Sequence, residues 1–87
     1  MVRQNDYVAI FHSIHKVMKA EKILKQAKIE MLLIPVPRQL TSDCGLAIRY
    51  AEKERGEIEA ILGQENLSPE ELFRKVESGF QAVDLSG

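Results

Sequence analysis

Near the start of the chain, Tyr7-Val8-Ala9-Ile10-Phe11 forms an apolar run without a polar side chain. It is too short for a buried helix and does not alternate, so it reads as a strand covered on both faces, in the interior of a sheet. An 87-residue chain has room for one such sheet and one core. The residues after the run must therefore supply both the neighbouring strands and the cover. Ser13 is placed to cap a helix that runs to about Lys28. Within it Ile14, Val17, Met18, Ala20, Leu24 and Ala27 recur at steps of three and four and make one apolar face. Lys16, Lys19, Lys22 and Lys25 fall on the other side and read as a solvated face. Glu21 falls inside the apolar arc, and reads as a boundary residue reaching water rather than as a buried partner for Arg38 or Arg49.

Met31 to Ile34 is a second apolar run, closed by Pro35-Val36-Pro37, whose prolines cannot donate to a ladder. Arg38 to Asp43 reads as a loop. Gly45 leads into Leu46-Ala47-Ile48-Arg49-Tyr50, a strand with Leu46, Ile48 and Tyr50 on one face. Ile58, Ile61 and Leu62 give a shorter helical stripe ending near Gly63 to Asn66. The segment 69–78 points two ways. Ser68-Pro69-Glu70-Glu71 is a good local helix start, with Leu67 and Leu72 as a hydrophobic staple. Yet β-α-β-β-α lacks only a closing strand, which Leu72 to Glu77, or Phe80 to Leu85, could supply. The expected fold is therefore α+β: a ferredoxin-like βαββαβ domain with an antiparallel sheet and two helices on one face. It is one domain over 1–87, with a core from about 6 to 78 and an unassigned tail at 79–87.

This topology has a chemical consequence. A right-handed first crossover sets strands one and two parallel, and strand three runs back between them. The end of strand one, the start of helix one and the loop between strands two and three then share one edge. His12, Ser13, His15, Arg38, Ser42 and Cys44 are expected there. A thiol is reactive as the thiolate, which cations and a helix N-terminus favour; Arg38, His15 and the helix start offer both. The adjacent carboxylate of Asp43 acts in the opposite sense. Gly45 leaves room for an approaching molecule. A lone cysteine is often only a small buried hydrophobe, but Cys44 stands in a polar loop. A zinc site from His12, His15 and Cys44 is a weaker reading, since no paired Cys-x-x-Cys supports it. There is no nucleophile-elbow pattern, and the 5 glycines are scattered, so no phosphate-cradling loop occurs.

Charge and cysteine count bound the rest. A formal net charge of −1 gives no electrostatic reason to expect a nucleic-acid partner. No apolar run is long enough to span a membrane, and the first residues lack the apolar segment of a signal peptide. A single cysteine allows no internal disulfide, as suits a reducing compartment. The expected location is the cytoplasm.

Phe11-His12-Ser13-Ile14-His15-Lys16-Val17-Met18-Lys19-Ala20-Glu21, then Pro35-Val36-Pro37-Arg38, then Ser42-Asp43-Cys44-Gly45 resemble small bacterial domains of the selenium/sulfur carrier-like family. Their pattern is F-x-S-x-x-x-A-x-x-x-E, P-V-P-R and S-x-C-G; here Val17 stands where alanine is more usual. The resemblance runs from about Tyr7 to Glu77, and its most specific part is the P-V-P-R to C-G segment. It implies a closing strand at Leu72 to Glu77, although Ser68-Pro69 departs from the family's lead-in. It also implies a bacterial cytosolic protein in which Cys44 carries sulfur or selenium as a persulfide or selenopersulfide. Arg38, Ser13 and His15 would stabilise the anion. The expected partners are a desulfurase-like donor protein and an acceptor protein, with no nucleic acid, membrane, cofactor or metal. Such a protein is a carrier rather than a turnover enzyme. The alternative is a partner-binding or regulatory ferredoxin-like module in which Cys44 is incidental.

Overall fold

The computed structural model describes residues 2–40 and 45–84. Its elements run β1 (Tyr7–Ile10), α1 (Ile14–Gln26), β2 (Leu32–Pro35), β3 (Leu46–Tyr50), a 3₁₀ turn (Glu52–Glu54), α2 (Arg55–Gln64), β4 (Glu71–Val76) and β5 (Gly79–Ala82). They form an α+β fold: one five-stranded antiparallel sheet in the order β2-β3-β1-β4-β5, with two helices. β3 pairs with both β1 and β2, so it lies between them as expected. The described segment 71–76 is a strand, which decides the ambiguity there. β5 is an addition to the four strands expected, and it pairs with β4 as a hairpin, Val76 opposite Gly79.

β1 is central and every residue of it is buried, which is why its run needs no polar side chain. One face of the sheet carries Tyr7, Ala9, Phe11, Ile48, Tyr50 and Leu72, packed against Val17, Ala20 and Leu24 of α1 and Ile58 and Leu62 of α2. Both helices therefore lie on one face. The buried stripe of α1 is narrower than its sequence pattern. Ile14 and Met18 are each 44% exposed, because the helix turns only the row through Val17, Ala20 and Leu24 inward. The other face is built on Val8, Ile10, Ile34 and Ala47. Among the described residues no helix packs there; Val2, Val36, Leu40, Phe73 and Phe80 pack against it instead.

The helix ends share a device. After α1, Lys28 takes φ 61, its amide donates to Lys25 O and the Ile29 amide donates to Leu24 O. After α2, Asn66 takes φ 56, with matching bonds from Asn66 to Gly63 and from Leu67 to Leu62. Both are Schellman caps with a left-handed C′ residue, and the residue after it, Ile29 or Leu67, enters the core. α1 opens on Ser13, extended at φ −135 and ψ 127, whose hydroxyl accepts from the Lys16 amide.

Candidate functional site

Strand register fixes which chain segments meet at the edge where β1 ends. Ile10 stands opposite Ala47 of β3 and Glu71 of β4, and Pro35 of β2 stands opposite Leu46. The exits of β1 and β2 and the entries of β3 and β4 therefore share that edge. Main-chain bonds extend the ladders there by one step: Val36 N donates to Gly45 O at 3.1 Å and Glu70 N to Ile10 O at 2.9 Å. The start of α1 lies just beyond the end of β1. The backbone leaving β1 and β2 and the backbone entering β3 and β4 therefore meet at this edge, close to where α1 begins.

Cys44, with Ser42 and Asp43, lies outside the described residues. Its chain neighbour Gly45 leads into β3 at φ +75, a left-handed conformation that L side chains rarely adopt. Among the described residues nothing lies within 4 Å of where a Cβ would stand, so the requirement for glycine read from them is conformational.

Among the described residues the edge holds a hydrogen-bonded cluster that sequence reasoning missed. The His12 amide donates to Glu70 Oε1 and His12 Nε2 lies 2.9 Å from Glu71 Oε2. Lys16 Nζ donates to Glu70 Oε2 at 3.0 Å. Burial pushes the Glu70 carboxyl up, but the His12 amide and the bond and charge of Lys16 outweigh it and hold the group below its usual value. In the sequence these two carboxylates read as the capping turn of a helix of their own. They serve instead to tie β4 to the β1–α1 junction. The signal that could have found them is β1 itself: a central strand needs a second neighbour, and the residues leading into that neighbour must meet its end.

The other candidate residues divide between the two sides of the sheet. Ser13 caps α1, and His15 is exposed in the first turn of that helix. Arg38 is exposed in the turn after Pro37, closed by Leu40 N donating to Pro37 O at 2.9 Å. Its side chain lines a groove with Val36, Lys75 and Phe80 on the face away from the helices. Among the described residues no hydrogen bond or ion pair joins Arg38 to Ser13 or His15. The loop curls that way because Val36 and Leu40 are apolar and cover the second face. Glu21 pairs with Lys25 on its own helix, and the partner of Arg49 is Asp6.

The opposite edge is tied down by a separate cluster. The Tyr7 and Tyr50 rings stack at 5.7 Å, and the Tyr7 hydroxyl donates to Glu52. Arg55 lies over the Tyr7 ring and donates to the Tyr7 hydroxyl and to Glu59. Burial is the main reason the Tyr50 hydroxyl is pushed well above its usual range. Among the described residues no helix is long and apolar enough to cross a membrane, and no group of three His, Cys, Asp or Glu could hold a metal ion.

A one-sheet α+β domain with a candidate loop at the edge where β1 ends is the class that fold and geometry define. The chain belongs to the family described as "Putative Se/S carrier protein-like", whose model matches residues 6–74. That span begins just before β1, ends within β4 and stops short of β5. No curated protein and no solved structure matches the chain.

Proposed function

We propose that this protein is a cytoplasmic carrier of sulfur or selenium, with Cys44 as the carrier thiol. We read its first four strands as a ferredoxin-like core to which β5 is added. Membership of the selenium/sulfur carrier family over residues 6–74 is the observation that carries the proposal. The register adds support, because it brings the entry to β3, just after Cys44 in the chain, to the edge where α1 begins.

In the proposed step the Cys44 thiolate attacks the outer sulfur of a persulfide on a donor protein. A bond forms between Cys44 Sγ and that sulfur, and the donor's sulfur–sulfur bond breaks. The donor cysteine leaves as a thiolate with the bonding pair. The product is a persulfide on Cys44, with no net oxidation, and a second exchange passes the outer atom to an acceptor thiolate. Selenium follows the same balance. The attack is an exchange between proteins rather than turnover of a small substrate. The free amides and dipole of the α1 start, around Ser13 and His15, would stabilise the anion. Arg38, exposed in the turn after Pro37, would add a positive charge from the same loop. Lys16 is partly spent on Glu70, so its contribution is small. A single cysteine and the reducing conditions that suit it support a cytoplasmic setting.

The test is to incubate the protein with a cysteine desulfurase and labelled cysteine and weigh the intact chain. One added sulfur atom on the wild type and none on Cys44→Ser is expected. An unmodified wild type, or equal loading of the variant, would reject the carrier reading in favour of a binding module with an incidental thiol.

A further inference from the structure

The face of the sheet without helices is unusual in its burial. Val8, Ile10 and Ala47 are each 0% exposed although only side chains from strands and loops cover them. Between the turn that carries Arg38 and the β4–β5 hairpin this cover leaves a groove of about 370 Å³. Its lining is mainly apolar, with Ile34, Val36, Val2 and Phe80, and it holds two cations, Arg38 and Lys75, but no carboxylate among the described residues.

Those features select a ligand chemistry. The volume is at the small end of the range for small-molecule sites, about 300–1,000 Å³. A bare inorganic anion would leave the apolar lining uncovered, and a neutral hydrocarbon would leave two cations beside it without a counter-charge. Lys75 Nζ donates one of its three N–H bonds to Val76 O at 2.8 Å and lies 5.6 Å from the centre of the Phe80 ring. It is thereby held at the groove with donors to spare. A guanidinium presents a planar fork that matches a carboxylate. We propose that the groove binds a small amphiphilic carboxylate. Its apolar body lies along Ile34, Val36 and Phe80, and its head group is held by Arg38 and Lys75. The inference shares Arg38 with the thiol chemistry proposed for Cys44 but does not require that thiol.

The test uses the full chain and three probes of comparable alkyl length: sodium octanoate, octylammonium chloride and octyl glucoside, each below its micellar concentration. Amide shifts in a ¹⁵N-labelled sample locate the binding. Octanoate is expected to give saturable shifts at Val36, Lys75 and Phe80, with the cationic and neutral probes about tenfold weaker. Arg38→Gln and Lys75→Gln are each expected to weaken octanoate by about three- to tenfold, with the remaining spectrum unchanged. Because the chain has no tryptophan, Phe80→Trp supplies a fluorescent reporter of the same event. Equal binding of the three probes, shifts confined to α1, or no saturation by octanoate would each overturn the proposal. So would capture of an acidic apolar peptide by a protein that ignores octanoate.

Discussion

Asp6 is the one buried polar residue among those described, at 6% exposure. Its Oδ2 accepts from Arg49 Nη1 at 2.9 Å and from the Arg3 amide at 2.9 Å. Arg49 is itself largely covered, with 19% of its side chain exposed, and its Nε is buried without a partner among the described residues. Replacing Asp6 by alanine would leave a guanidinium with two unpaired donors under the rim of the sheet. Breaking a fully buried pair costs about 3–5 kcal/mol. Arg49 can turn partly to water, so about 2–3 kcal/mol is expected. For a domain of this size that lowers Tm by roughly 10–20 °C. The double variant Asp6→Leu/Arg49→Met removes both charges and keeps the apolar volume, and it should return to within about 1 kcal/mol of the wild type. Urea unfolding of the wild type, Asp6→Leu, Arg49→Met and the double variant, followed by circular dichroism, closes the cycle, with Asp6→Ala measured beside it. A loss under about 0.5 kcal/mol for Asp6→Ala, or a double variant as unstable as the sum of the singles, would refute the reasoning.

Other perturbations test the edges and caps. Lys28 adopts φ 61 at the C′ position of α1, where a side chain is strained. Lys28→Gly should therefore raise stability by about 0.5–1 kcal/mol, seen as a higher Tm, less whatever freedom glycine adds to the unfolded chain. Glu70 titrates below its unfolded value near 4.5 because the His12 amide and Lys16 outweigh its burial. The unfolded chain binds that proton first, so the contribution is complete above about 4.5 and is lost as pH falls through the lower folded value. Glu70→Gln should flatten the acid limb of a stability profile below that point and leave the neutral limb parallel to that of the wild type. Ser13→Ala should cost about 1 kcal/mol as a lost N-cap, measured by urea unfolding.

The features legible in the residues and those that were not separate by the range of the interaction. The apolar run at Tyr7 announced a central strand, and Ser13 with the spacing of Val17, Ala20 and Leu24 announced α1, because those signals are local. Segment 71–76 was ambiguous for the same reason. Ser68-Pro69-Glu70-Glu71 is a sound local helix start, but β1 needed a second neighbour, and Leu72 enters the core only from a strand. Glu70 and Glu71 then found His12 and Lys16, residues more than fifty positions away. A fifth strand was not foreseen, since Phe80 to Leu85 read only as an alternative closing strand and Glu77-Ser78 lacks the usual hairpin glycine pair. The edge shared by the ends of β1 and β2 and the starts of β3 and β4 was legible, since register follows from topology. The side-chain grouping was not. Pro35 and Pro37 marked where the second strand closes, while Val36 and Leu40 decided on which side of the sheet the following turn, and Arg38 with it, would lie.

The acidity of one sulfur separates a carrier from a module with an incidental thiol. The rate of Cys44 alkylation by iodoacetamide, measured against pH, yields its thiol pKa directly. A carrier thiol is expected clearly below the unperturbed value of about 8.5, and it should rise towards it in Ser13→Ala as the start of α1 loses its order. A wild-type value at or above about 8.5, indifferent to that substitution, would contradict the carrier role.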